Sequence, residues 1–372
     1  MKKSMFFTVL CAIILNVYAQ SQTWTAMQMP EISSKWTLTG IYFSSPSNGW
    51  AVGYDYEDVG TSTNVVKGVI LQFKEGQWIK ANYPTPSANW TLHGVWFLND
   101  KEGWAYGQNK ENKAGLLMHY KNDTWKVVEL SMVSYKEWVL YDVFFVNEKL
   151  GWAVGSTWGD EKPVFLTHTD GSWKVEDVAD LKKQTLLSVA AINADNVFAG
   201  GFREGKFDMA GISRAQGSYI ITKTKGNWEQ PKLPLLSNNV ICRDIACIDA
   251  SNVYAVGWMP AFQSAPETGK ILFYNGKKWS EADVDAGKDW NIFGVAFENA
   301  QTGWAAGNYS GKNKGLLIQF NKGEWKPLSK KTEPQIAEKW NLRSITFDKQ
   351  GAYYAAGGDE QSNKGIIIKT EK

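Results

Sequence analysis

The sequence predicts an all-β protein: a seven-bladed β-propeller of four-stranded antiparallel blades, the last blade closed by the N-terminal strand. Three observations lead there. An eighteen-residue phrase recurs seven times, ending each time in Gly. A strand, a tight turn and a Trp follow six of the copies. The seventh copy lacks that Trp, and an unassigned Trp stands near the N-terminus instead. Composition agrees: of 372 residues 14% are aromatic, 19 of them Trp, and 34 are Gly. Strands favour aromatics and tight turns need Gly. Hydrophobic residues at 44% and charged residues at 21% exclude a disordered, collagenous or multi-span membrane chain.

Taken in order, the chain opens with what reads as a signal peptide over residues 1–19. Lys2 and Lys3 supply the positive end, Met5 to Leu15 the apolar run, and Val17-Tyr18-Ala19 the cleavage site. The apolar run is too short for a comfortable membrane span, and none is expected once the signal is removed. A secreted or periplasmic location follows. Without Lys2 and Lys3 the 40 basic residues fall to 38, equal to the 38 acidic ones. A neutral chain is a poor partner for nucleic acid.

The mature chain, residues 20–372, reads as one propeller with blades starting near 36, 90, 138, 184, 240, 290 and 340. WTLTGIYFSSPSNGWAVG begins at Trp36, and close copies begin at Trp90, Trp138, Trp290 and Trp340. Divergent copies begin at Gln184 and Val240. Their final glycines, Gly53, Gly107, Gly155, Gly201, Gly257, Gly307 and Gly357, are spaced by 54, 48, 46, 56, 50 and 50 residues. Each copy supplies the two inner strands. A third strand such as KGVILQF follows, then a turn and the Trp that opens the fourth. Trp24 precedes Trp36 by the twelve residues that separate Trp78 from Trp90. Residues 23–29 are therefore expected to complete the last blade, removing an open edge.

Sorting the tryptophans by repeat position assigns 16 of the 19 to blade packing. Trp96, Trp158 and Trp258 fall outside that scheme. The last two follow the second strand, in expected loops where no repeat rule requires them. Cys242 and Cys247, the two cysteines after the leader, are expected about 16 Å apart in one strand. Such a pair is beyond the ~7 Å a disulfide needs, with side chains on opposite faces.

The repeat built from GWAVG, an apolar strand, a short polar turn and Trp resembles that of the photosystem II assembly factors. It also resembles the wider sialidase-like propellers with Asp-box or BNR-type repeats. Thr167-His168-Thr169-Asp170-Gly171-Ser172-Trp173 is similar to a shortened Asp box, from which Lys74–Trp78 and Lys121–Trp125 depart. The resemblance implies a propeller that binds protein during assembly.

Chemistry is sparse. Sialic acid is held by several guanidinium groups around one carboxylate, and the chain has only Arg203, Arg214, Arg243 and Arg343. His93, His119 and His168 show no metal-ligand spacing. Asp55, Glu57 and Asp58 read as a solvated acidic loop. No catalytic, cofactor or metal residue is assigned.

Two features suit binding. The fourth residue of the phrase varies while its neighbours repeat: Thr39, His93, Tyr141, Leu187, Arg243, Phe293 and Arg343. The first strand of a propeller blade lines the central channel, so this position forms a ring there. The loops after the second strand open on one face and carry Tyr56, Trp158, Phe202 to Phe207 with Arg203, and Trp258 to Phe262. His93, Tyr141, Arg243, Phe293, Arg343, Trp158, Trp258, Tyr56 and Arg203 are the expected binding residues. The expected function is a non-catalytic, monomeric scaffold. It recognises a protein partner in the cell envelope through one face. A lectin-like propeller for an extracellular glycan is the alternative, and a glycoside hydrolase or sialidase-type enzyme the third reading.

Overall fold

A computed structural model of the chain describes residues 23–371 apart from 61–63, 159–161, 177, 179–183, 205–214, 225, 235–239, 262–264 and 330–332. The signal peptide, Phe207, Arg214 and Phe262 lie outside the described residues. Seven four-stranded antiparallel sheets are present. Six run in simple chain order from an innermost to an outer strand. The seventh takes Trp340–Phe347, Tyr353–Asp359 and Lys364–Thr370 from the end of the chain, and its outer strand, Trp24–Ala26, from the beginning. Trp24 pairs with Thr370 and Ala26 with Ile368. Beyond the strand, Met27 N–H donates to the Ile367 carbonyl at 2.8 Å, and Glu371 N–H to the Thr23 carbonyl at 2.8 Å.

The core lies between blades. In one cluster Trp50 and Ile70 of blade one pack with Trp90, Phe97 and Trp125 of blade two. The second-strand aromatic lies flat on the next blade's inner-strand Phe: Trp50 on Phe97 at 5.0 Å, Trp104 on Phe145 at 3.7 Å, Tyr354 on Phe43 at 4.0 Å. The outer-strand Trp meets the same aromatic edge-on, as Trp125 meets Trp50 at 5.4 Å. Offset and edge-to-face contacts are the favoured aromatic geometries.

The Trp that opens five of the seven phrases latches onto the blade before it. Trp90 N–H donates to the Val66 carbonyl at 2.9 Å, and Trp36 closes the ring by donating to Asn363 at 2.9 Å. Its indole rests on a third-strand glycine, where an added Cβ would stand 2.1 Å from Trp90 at Gly68 and 2.3 Å from Trp36 at Gly365. Where blade four replaces the Trp with Gln184, blade three replaces the glycine with Pro163. The two halves of the latch are lost together.

Every innermost strand carries the same irregularity. Its pairing with the second strand skips one residue between the third and fifth positions of the phrase. This is a β-bulge, which leaves one residue unpaired and re-aims its side chain. The glycine that ends each phrase sits opposite. A Cβ there would lie 2.1 Å from the Thr91 carbonyl oxygen at Gly107 and 1.8 Å from that of Val139 at Gly155. The sevenfold glycine is thus a requirement of the bulge. The bulge also corrects the expectation for the cysteines. Cys242 pairs with Gly257 and Asp244 with Val256, so the alternation shifts by one at Arg243. Cys242 and Cys247 consequently pack against one cluster, both as free thiols.

Candidate functional site

The unpaired residue of each bulge is the variable fourth position. Thr39, His93, Tyr141, Leu187, Arg243, Phe293 and Arg343 all line one cavity of about 80 Å³ at the channel mouth. The bulge frees the third-residue carbonyl of the next blade, and two of the ring residues use it. Thr39 Oγ1 donates to Leu92 O at 2.9 Å, and His93 Nδ1 bonds Leu140 O at 3.0 Å. A carbonyl only accepts, so Nδ1 carries the hydrogen and Nε2 is left as an acceptor. Burial pushes His93 down to about 4, with Arg243 adding to the effect, so the ring is neutral at pH 7. It stacks on Tyr141 at 5.3 Å and 15°.

Arg243 is half-buried at the channel mouth. Burial lowers its pKa, while Asp244, Tyr106, Tyr141 and Asp142 raise it. A guanidinium keeps its charge there. Arg343 is exposed and borders a second cavity of about 360 Å³ between blades seven and one, shared with Trp36, Tyr54, Tyr56, Asn341 and Glu360. Tyr54 and Tyr56 meet edge-to-face at 6.0 Å, and Asn341 Nδ2 donates to Glu360 at 3.0 Å. Arg343 therefore joins the channel mouth to the cleft.

The loop residues divide. Trp158 is 58% exposed on the same face, as an indole without a core role. Trp258 is no loop residue. It lies within the strand Asn252–Met259, half-buried, and packs on Phe293 at 5.1 Å and 41°. The second strand runs on past the repeated Gly, so the position read as a free loop belongs to the sheet and props the channel ring. Arg203 is exposed near the end of the blade-four strand Asn196–Glu204 and lines neither cavity. Trp96, unassigned by repeat position, faces the far end of the channel.

The fifth position matters as much as the fourth and escaped the sequence reading. It is Gly in blades one, two and six but Asp142, Ser188, Asp244 and Ser344 in the other four. These side chains form a belt that accepts backbone N–H groups of the next blade. Asp142 takes Val189 at 2.9 Å, Ser188 takes Ile245 at 3.1 Å, Asp244 takes Val295 at 2.9 Å, and Ser344 takes Ile41 at 3.3 Å. Asp142 also accepts from Tyr106 O–H at 2.8 Å and Ser188 O–H at 3.0 Å. Tyr106 fills the space that Gly94 leaves open. Burial and the Asp244 carboxylate push Asp142 up to about 7 against these donors, and burial raises Asp244. The departures from Gly were the available signal.

Among the described residues no group of three or more His, Cys, Asp or Glu is placed to hold a metal ion. No protein-family description matches the chain, and no curated protein does. Solved structures do. YCF48 from Cyanidioschyzon merolae superimposes with a TM-score of 0.59 at 16% identity, covering 94% of this chain and 99% of that one. A structure described as YCF48 bound to D1 peptide gives 0.59 at 14% identity, covering 94% and 97%. The WD40 β-propeller domain of Doa1 gives 0.57 at 8%, with the same coverage. The likeness is one of fold. It agrees with the propeller implied by the assembly-factor resemblance and does not bear on the Asp-box side of it.

Proposed function

We propose that the protein is an exported, monomeric, non-catalytic scaffold whose loop face takes an extended segment of a partner protein in the cell envelope. The observation that carries this reading is the continuity of the channel mouth with the blade seven–one cleft through Arg343. That path presents a cation, an amide–carboxylate pair and aromatic shelves from Tyr54 and Tyr56, the mixture that recognition surfaces use. A peptide-bound structure exists for a protein of like fold, YCF48. Export rests on the leader-like residues 1–19. Among the described residues no helix is long and apolar enough to cross a membrane.

The test is a peptide library and a glycan array probed in parallel with wild type and Arg343→Ala. The expected result is peptide capture that the exposed Arg343→Ala change reduces without altering thermal stability. Capture of glycans alone makes this a lectin-like propeller and overturns the reading.

A further inference from the structure

At the end of the channel away from the loop face, the innermost strands open into a cavity of about 550 Å³. Its wall is lopsided. The seventh residue of the phrase is Tyr42, Trp96 and Phe144 in blades one to three, but Ala190, Ala246 and Ala296 in blades four to six. The three rings form one arc, Tyr42 to Trp96 at 5.8 Å and Trp96 to Phe144 at 5.5 Å. The alanines opposite leave the volume open.

The deep end of this cavity carries two carboxyl groups. Asp142 and Asp244 both line it. Asp142 is saturated by four donors, Tyr106 O–H, Ser188 O–H and the amides of Val143 and Val189. Asp244 Oδ1 takes the Ile245 amide at 2.9 Å and faces the Ser188 hydroxyl at 3.3 Å, while among the described residues its Oδ2 accepts only the Val295 amide at 2.9 Å and keeps a lone pair. Exposed Glu298 adds a carboxylate to the lining, and Lys349 is its one cation among the described residues; Arg243 lines the other mouth. The Tyr42 hydroxyl, pushed up to about 12 by burial, belongs to a ring lining the cavity and has no hydrogen-bond partner among the described residues.

Each part narrows the ligand. Aromatic faces attract cations. Carboxylates removed from bulk water call for a counter-charge. Arg243 offsets the buried carboxyl groups from the other side, yet an anion would still meet Asp244 and Glu298, and a neutral ring would leave the open Asp244 lone pair without a donor. A bare metal ion lacks its ligand set, since no such group occurs among the described residues. We infer that this mouth binds an alkylammonium group, held against the Tyr42–Trp96–Phe144 arc with its charge toward Asp244. Two sources carry that chemistry, a small quaternary ammonium compound and a lysine side chain. The site is separate from the loop face and stands or falls apart from it.

Calorimetric titration of the full chain tests this with choline and n-butylammonium, each against its uncharged counterpart, 3,3-dimethylbutan-1-ol and n-butanol. At least one cation is expected to saturate the protein about tenfold more tightly than its counterpart. Preference for choline assigns the quaternary source, and preference for butylammonium the lysine. Ala246→Lys sets a tethered ammonium in the cavity without removing core volume, and is expected to abolish the binding. No saturable binding of either cation, equal affinity for the uncharged counterparts, or unchanged binding in Ala246→Lys overturns the inference.

Discussion

Trp24→Ala measures what closure of the ring contributes. Trp24 is 3% exposed and meets Trp304 edge-on at 5.3 Å and 82°. It belongs to a three-residue strand that forms the outer edge of blade seven. Truncation removes about 200 Å² of buried indole surface. At about 25 cal/mol/Å² that is roughly 5 kcal/mol. A compact denatured state trims this by about 10–40%, to roughly 3–4.5 kcal/mol, inside the usual range for Trp→Ala in a core. Urea unfolding followed by circular dichroism reads the loss as a lower midpoint. Trp78→Ala, the equivalent change within a blade of continuous chain, is the matched control and is expected to cost a similar amount. Light scattering adds a second readout, because an unpaired Lys364–Thr370 edge invites association. A Trp24→Ala loss below about 1 kcal/mol, with Trp78→Ala at full cost, would refute closure by the N-terminal strand.

Three further outcomes follow from the same geometry. Gly107→Ala drives a Cβ to 2.1 Å from the Thr91 carbonyl and is expected to cost more than about 2 kcal/mol in thermal melts. Gly76→Asn, at φ +82° with nothing within 4 Å, is expected to cost under about 1 kcal/mol; equal losses would remove the bulge argument. Trp158→Ala is expected to leave stability within about 0.5 kcal/mol, whereas Trp258→Ala lowers the melting temperature by uncovering Phe293. For pH, Asp142 is raised from 3.8 to about 7, so the folded state binds the extra proton between those values. This contribution to stability is complete below the unfolded value and is lost as pH rises through about 7. Asp142→Asn is expected to flatten that decline in denaturation midpoints measured across the window, and an unchanged slope would assign it elsewhere.

The repeat was legible because a propeller asks the same thing of each blade. Identical packing duties select the same residue at the same position, and Trp24 and Trp36 carry the period across the closure. The fourth-position ring was legible as a place where those duties leave the side chain free. The bulge was not. A skipped pairing shows only in register, and register depends on a partner strand. For that reason Cys242 and Cys247 were assigned to opposite faces when they share one cluster. Trp258 was placed in a loop because the length of a strand beyond its last repeated residue is decided by its neighbours.

By itself, then, the sequence determined the blade count, the four-strand pattern, the closing strand and the variable fourth position of the inner strand. The tertiary structure alone decided where that variation leads. Only circular closure sets residues about fifty positions apart side by side. It joined Asp142 to Ser188 and Asp244 in one belt, linked the channel mouth to a cleft through Arg343, and placed an aromatic arc opposite three alanines. Periodicity reports what the blades have in common, whereas a binding site is made from what they do not.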